Sequence, residues 1–357
     1  MSGDLLHIAT RKGLFAASRR HSGWSLSLIG FAGDPVTQVL QITGGPLLAA
    51  LRLGHFGTKL HASDDGGRTW REVAAPAMPA DADTDLAVDL IWCLEETGTG
   101  FGHLWAGTIP GALFRSSDAG ETWAMNRALW QCNERQAWWG GGYDHPGIHS
   151  ICVDPNDTGH VTLAVSVGGI WQTSDGGGTW RLTANGFVAD YLPPAIADDP
   201  KQQDPHRLVA CQSDPRRLWT QHHCGIWRSD DGGDAWQAVT AEAPSRFGFA
   251  VVVHPKDPDT AWFVPAESDV KRIPAAGRFV VLRTHDGGAS FDVLDQGLPK
   301  APAYDLVYRH ALDIDASGRR LAMGSTTGAL WISDNGGDTW ELINAHLPPI
   351  AALRFAP

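Results

Sequence analysis

No apolar run in this chain approaches the roughly 18 residues of a membrane-spanning helix, so no helical membrane span is expected. Positive charge is in short supply: 28 Lys and Arg stand against 40 Asp and Glu, a net charge of −12. A nucleic-acid partner calls for a basic face, and that class is set aside. Cysteine is scarce and scattered, with five residues at Cys93, Cys132, Cys152, Cys211 and Cys224 and no Cys-x-x-Cys pair. That pattern excludes a zinc ribbon and implies reduced thiols. His-Glu-x-x-His and Gly-x-Ser-x-Gly are both missing, so neither a zincin helix nor a nucleophile elbow is present. No stretch reads as a long amphipathic helix or as low complexity. Met1-Ser2-Gly3-Asp4 runs directly into Leu5–Ala9 with no basic n-region, and the expectation is a cytoplasmic protein.

Glycine and tryptophan are abundant, with 41 and 16 residues. They recur in one pattern, Ser/Thr-x-Asp-x-Gly-x-Thr-Trp. It is intact at Ser63–Trp70, Ser116–Trp123 and Thr173–Trp180. It is altered at Ser229–Trp236, Thr284–Phe291 and Ser333–Trp340, where Ala235, Ser290 and Asn335 replace the usual residues. A decayed copy spans Ala17–Trp24. The closing aromatics Trp24, Trp70, Trp123, Trp180, Trp236, Phe291 and Trp340 fall 46 to 57 residues apart by their numbers, which is the length of a propeller blade. An apolar strand enters each copy and a short strand leaves it, so each is a hairpin turn. The hydroxyl and the carboxylate can cap turn N–H groups, glycine tolerates positive φ, and the aromatic can pack between sheets.

These residues resemble the Asp box, or BNR repeat, of sialidases, certain xyloglucan-degrading glycosidases, sortilin-type receptors and photosystem-assembly propellers. The resemblance covers nearly the whole chain. It implies an all-β fold, and seven copies make a seven-bladed β-propeller of four-stranded antiparallel blades, with residues 1–357 as one domain. In that family the box lies at the outer base of each blade, so every copy here is expected to be structural. Fold alone does not name a function, because enzymes, receptors and scaffolds share it.

Blade one has only three strands of its own, at 5–9, 13–17 and 24–29. The C-terminal run Pro348–Phe355 is expected to supply its innermost strand and close the ring, removing two exposed edges. The inner strands of the other blades are expected at Val36–Ile42, Leu90–Leu94, Ile148–Val153, Leu208–Cys211, Phe249–Val253 and Asp305–Tyr308.

Polar residues gather on loops of the face where inner strands begin. The longest loop, 126–147, carries Trp130, Trp138, Trp139, Tyr143, Asp144 and His145 and is expected either to pack down over the ring or to form a stacking platform. Further ligand candidates are Arg52, His55, His149, His206, His222, His223, Arg246, Arg272 and Tyr304. Glycoside hydrolysis needs two carboxylates flanking the bond, and Asp144, Asp204, Glu267 and Asp305 are the candidates. No resident metal is assigned, although His145, His149, His206, His222 and His223 form a nitrogen-rich set that a divalent ion could use, His145, His206 and His222 foremost, with Asp144 or Asp204 as an oxygen ligand. Sialidases carry Arg-Ile-Pro near the start of the fold, and have six blades. Here Arg272-Ile273-Pro274 falls in blade six of seven, so a true sialidase is not expected, although Arg52, Arg207, Arg246 and Arg272 could still clamp an anion. The expected function is binding or hydrolysis of a polar, sugar-like or anionic small molecule in a top-face funnel. The alternative is a non-catalytic scaffold that holds a protein partner through the same face and loop 126–147.

Overall fold

The computed structural model describes residues 3–82 and 84–357; Met1 and Ser2, which open the N-terminal reading, and Asp83 of the 74–85 linker lie outside the described residues. Seven four-stranded antiparallel sheets make seven blades. From inside outward, blade one is Ile350–Phe355, Leu5–Thr10, Gly13–Arg20 and Gly23–Gly30. The inner strands of blades two to seven are Val36–Gln41, Leu90–Glu96, Ile148–Val153, Pro205–Ala210, Gly248–Val253 and Leu312–Ile314. Each inner strand touches its counterparts in the blades on either side, including the C-terminal strand against Val36–Gln41 and Leu312–Ile314, so the ring is closed. Among the described residues no helix is long and apolar enough to cross a membrane.

The sheets face one another, and this explains the sequence pattern. Leu47, Leu48, Ala49, Ala50 and Leu51 are all buried, as is every residue of Leu104–Ile109. A sheet covered on both faces has no solvent side to call for polar alternation. The core is accordingly divided into clusters between adjacent blades, such as Leu48, Leu60, Ile91 and Phe114 between blades two and three.

The repeated turns explain how the hairpins are held. In the first, the Ser63 hydroxyl donates to Asp65 Oδ1 at 2.8 Å and accepts from the Gly67 N–H at 2.8 Å. Asp65 accepts from the Thr69 N–H at 2.9 Å and from the Thr69 hydroxyl at 2.7 Å. The same network recurs in the copies around Asp118, Asp175 and Asp286. Ala235 gives Asp231 a backbone bond at 3.0 Å but no hydroxyl, so Asp231 keeps that bond and the one from the Ser229 hydroxyl at 2.8 Å. Gly66 and Gly67 have φ of +72° and +89°, where a Cβ is strained; in blade three Ala119 takes that first position at +60°. The closing aromatics reach the preceding blade: the Trp70 indole donates to the Ile29 carbonyl at 2.9 Å and that of Trp180 to Asn126 Oδ1 at 3.1 Å.

Two expectations change. The decayed copy at Ala17–Trp24 is a plain two-residue hairpin in which Arg20 pairs with Gly23, because it lacks the carboxylate that would span a longer turn. The inner strand of blade seven is Leu312–Ile314, not Asp305–Tyr308, which carries no strand. Asp305 there caps a neighbouring turn, accepting from the Ser325 hydroxyl at 2.9 Å.

Two outcomes follow from this architecture. The C-terminal strand pairs with Leu5–Thr10 through Leu6–Phe355, Ile8–Leu353 and Ala9–Ala352, and it buries Ile350, Leu353 and Phe355. Those three side chains are worth about 4.5–9 kcal/mol, comparable to the roughly 5–15 kcal/mol that stabilises a whole domain. Deleting residues 348–357 should abolish the cooperative melt seen by circular dichroism, and a truncated chain that melts like the full one would refute ring closure as the main clamp. The second outcome concerns acid. Asp65, Asp175 and Asp286 are held down at about 2, chiefly by the Thr69 N–H, the Thr173 hydroxyl and the Ser290 hydroxyl respectively. A carboxylate whose folded value lies below its unfolded value of about 3.9 stabilises the fold above that pH, and this contribution is lost as pH falls towards 2. Replacing all three with Asn should flatten the dependence of stability on pH between about 4 and 2 in urea titrations.

Candidate functional site

A cavity of about 840 Å³ opens at the centre of the ring, on the face where inner strands begin. Its wall comes from several blades: Pro349–Ala351 and Arg11 from blade one, Pro35–Thr37 and Arg52 from blade two, Leu90 and Trp92 from blade three. Gly141–Tyr143, Phe249, Arg272 and the run Tyr308–His310 complete it. Its floor is tied across the ring, because His310 Nε2 of blade seven donates to the His149 carbonyl of blade four at 2.7 Å.

Among the described residues the lining carries Arg11, Arg52, Arg272 and Arg309 and no Asp or Glu. A positive cavity in a chain of net charge −12 concentrates field on anions. Arg52 is already engaged, with both carboxylate oxygens of Asp89 at 3.0 and 2.6 Å. Arg309 is not. It is only 8% exposed, and its buried Nε has no hydrogen-bond partner among the described residues. It lies over the Trp92 ring at 4.8 Å and the Phe249 ring at 5.6 Å. Burial pushes its pKa down from the usual guanidinium value, with Arg272 adding to the effect and Asp204 opposing it. A guanidinium remains charged under these conditions, so a buried positive group lines the cavity. Arg272 sits beside it over the same Phe249 ring, and its Nη1 donates to the Tyr308 hydroxyl at 3.3 Å.

Loop 126–147 divides its aromatics between wall and rim. Trp138 is buried and packs edge-on against Trp171, with ring centroids 5.4 Å apart. The Trp130 indole donates to the Ala82 carbonyl at 3.0 Å, with the Arg135 guanidinium stacked on its face. Trp139 and Tyr143 remain exposed. Of these residues only Tyr143 lines the cavity, edge-on to Trp92 at 5.1 Å, so no tryptophan of the loop plugs the funnel.

A second polar group lies directly behind the wall. Asp204 is buried and faces His223 Nδ1 at 3.2 Å and His206 Nε2 at 3.6 Å. One ligating atom from each of the three falls within 4.8 Å of the others. Burial alone would raise the Asp204 pKa, but His206 and His223 outweigh it and hold the carboxyl well below its usual range. Burial likewise opposes the charge on His223, and Asp204 reverses the balance and raises it. His222 stays out of this group. It stacks on Phe187, each ring nitrogen lies 3.1 Å from a backbone N–H, of Asp204 and of Cys224, and burial pushes it down to about 3. This narrows the nitrogen-rich set expected from sequence: of His145, His149, His206, His222 and His223, only His206 and His223 belong to the cluster, and of Asp144 and Asp204 only Asp204 does.

The remaining candidates disperse. Asp144 is exposed on the rim. Glu267 caps its own loop, accepting from the Ala276 N–H at 2.9 Å. Asp144, Asp204, Glu267 and Asp305 are all absent from the cavity lining. Arg246 turns to the Thr240 carbonyl at 2.6 Å, His55 stacks on Phe56 outside the lining, and Tyr304 stands 65% exposed. His149 is buried below the floor, its Nδ1 2.9 Å from the Ser150 hydroxyl. Arg52, Tyr143 and Arg272 are therefore the sequence candidates that the cavity brings together. Sequence reasoning missed Arg309, Trp92 and Phe249. The signal for Arg309 was the ionisable run Tyr308-Arg309-His310 directly before the apolar Ala311-Leu312.

No family model matches the chain. It is 23% identical over 281 residues to an oligoxyloglucan-reducing end-specific xyloglucanase of Emericella nidulans, a match covering 71% of this chain and 32% of that protein. It is 24% identical over 268 residues to a xyloglucanase of a Paenibacillus species, covering 67% of this chain and 24% of that one. The chain thus spans a third or less of the curated relatives it matches. Among solved structures, an ancestral GH74 enzyme superposes with a TM-score of 0.59 at 14% identity over 91% of this chain and 38% of that one. YCF48 bound to D1 peptide superposes at 0.56 and 14% identity over 87% and 81%. At these identities the structural likeness speaks for the propeller fold alone.

Proposed function

We propose that this chain is an Asp-box propeller that binds an anionic, sugar-like small molecule in its ring cavity. The observation that carries the reading is Arg309, a buried guanidinium whose Nε has no hydrogen-bond partner among the described residues, beside Arg272 in a cavity whose described lining holds no carboxylate. A planar carboxylate on a saccharide suits it: the fork takes the acid, while Trp92, Tyr143 and Phe249 offer apolar faces to a sugar ring. The xyloglucanases among its relatives support a saccharide as the ligand class. General acid–base hydrolysis needs two carboxylates at the reacting bond, and a lining without any favours binding over cleavage and differs from what a sialidase requires. In the same reading the protein works in a reducing compartment such as the cytoplasm, which its five free thiols suit.

The scaffold reading keeps one observation in its favour. The rim residues Phe56, Trp139, Tyr143, Val270 and Tyr304 are exposed apolar groups on loops next to lining residues. A protein partner seated there would bury them. A cavity lined by Arg272 and Arg309 is better matched by a small anion.

The test is calorimetry with acidic and neutral oligosaccharides, using uronic-acid oligomers against xyloglucan fragments. Acidic oligomers should bind and neutral ones should not. Arg309→Met should weaken binding about 10- to 100-fold, the equivalent of about 1.5–3 kcal/mol for a hydrogen bond to a charged group. The same substitution removes a buried, unpaired charge, so the Tm of the free protein should hold or rise. Equal binding of neutral fragments, or undiminished binding by the variant, would overturn the reading.

A further inference from the structure

We infer that Asp204, His206 and His223 form a binding site for a divalent transition-metal ion, distinct from the cavity ligand and independent of it. The argument begins with a tautomer. His206 Nδ1 lies 2.6 Å from the Gly248 carbonyl, which can only accept, so Nδ1 carries the proton. In the neutral ring Nε2 then bears a bare lone pair, and that lone pair faces the Asp204 carboxylate at 3.6 Å. Two acceptors aimed at each other in a buried place call for a proton or a metal ion between them, and a metal ion is the one that His223 can share. Asp204 supplies the second, independent observation. It is 6% exposed, and its Oδ1 is buried without any hydrogen-bond partner among the described residues.

Ligand spacing fits an ion. His223 Nδ1 lies 3.2 Å from the same carboxylate oxygen that His206 Nε2 approaches at 3.6 Å. Both separations match those between ligands held about 2.0–2.2 Å from one shared centre, the range of nitrogen and carboxylate ligands to zinc and its neighbours, and the two imidazole nitrogens lie within 4.8 Å of each other. The surroundings have the form of a metal's outer shell, in which a ligating imidazole gives its other N–H to a carbonyl. The His206–Gly248 bond does this, and Phe249 fixes the ring by stacking on it at 4.6 Å. The His223 N–H donates to the Asp204 carbonyl at 2.9 Å, which holds the two ligands in register. Two imidazoles and one carboxylate select a first-row divalent ion such as Zn²⁺, Co²⁺, Mn²⁺ or Fe²⁺ over Ca²⁺ or Mg²⁺.

The site also has a way in and a neighbour. His223 keeps 22% of its side chain accessible. A Cβ on Gly141 would stand 3.4 Å from Asp204 Oδ1, and Gly141 and Phe249 both line the cavity. The ion would therefore lie one residue behind the wall that meets the cavity ligand.

Equilibrium dialysis of the chelator-treated full chain against Zn²⁺ and Co²⁺ at neutral pH tests this, with Mg²⁺ as the comparison. The expected result is one tightly held transition-metal ion per chain, with a Co²⁺ absorption spectrum typical of nitrogen ligation and no Mg²⁺ uptake. His223→Gln and Asp204→Asn should each weaken binding at least about 100-fold, since loss of an outer-shell partner alone costs about 10- to 100-fold. His160→Ala, on a turn at the opposite face, should bind as the native chain does. Failure of the native chain to take up either ion overturns the proposal whatever the variants do. So does a bound ion that survives in His223→Gln. Neither result bears on whether the cavity takes an acidic saccharide.

Discussion

The pairing of the C-terminal strand with Leu5–Thr10 is the constraint on which the rest of the molecule depends. A propeller is a ring of sheets held face to face, and each interface buries the side chains of two blades. Ring closure turns seven weak units into one structure, because no blade then has an uncovered face. The same strand brings Pro349–Ala351 to the cavity wall, so the element that closes the ring also shapes the site. It is reinforced across the axis, where Arg354 pairs with Glu95 of blade three.

Two polar zones then sit side by side with opposite chemistry. The cavity is cationic and lacks acids, while the cluster behind it centres on one buried carboxylate. Phe249 serves both, stacking on His206 on one side and standing under Arg309 and Arg272 on the other. An aromatic face stabilises a cation and tolerates an imidazole, so one ring can separate the two zones without an unsatisfied polar contact of its own.

How much of this was legible depended on the range of the interaction. The repeated turns are local: Ser63, Asp65, Gly67 and Thr69 satisfy one another within seven residues, so their spacing could be read directly. The missing fourth strand of blade one could be counted. The inner strand of blade seven was misplaced because Asp305–Tyr308 is a short apolar run like an inner strand but is engaged in turn capping and cavity lining. Arg246 and Arg309 were not separable by composition, since both are arginines near the start of an inner strand. One turns back to a carbonyl of its own loop and the other is buried between two rings.

The sequence by itself determined the number of blades, the hairpin turns and the need for the C-terminus to close the ring, because these rest on short-range hydrogen bonding and on the count of apolar strands. Only the tertiary structure decided which ionisable groups meet. His206 and His223 lie seventeen residues apart by their numbers and converge on Asp204 because neighbouring strands of blade five place them there. Arg309, Trp92 and Phe249 come from three different blades. Contacts of that kind are set by the curvature of the closed ring, which no local pattern of residues encodes.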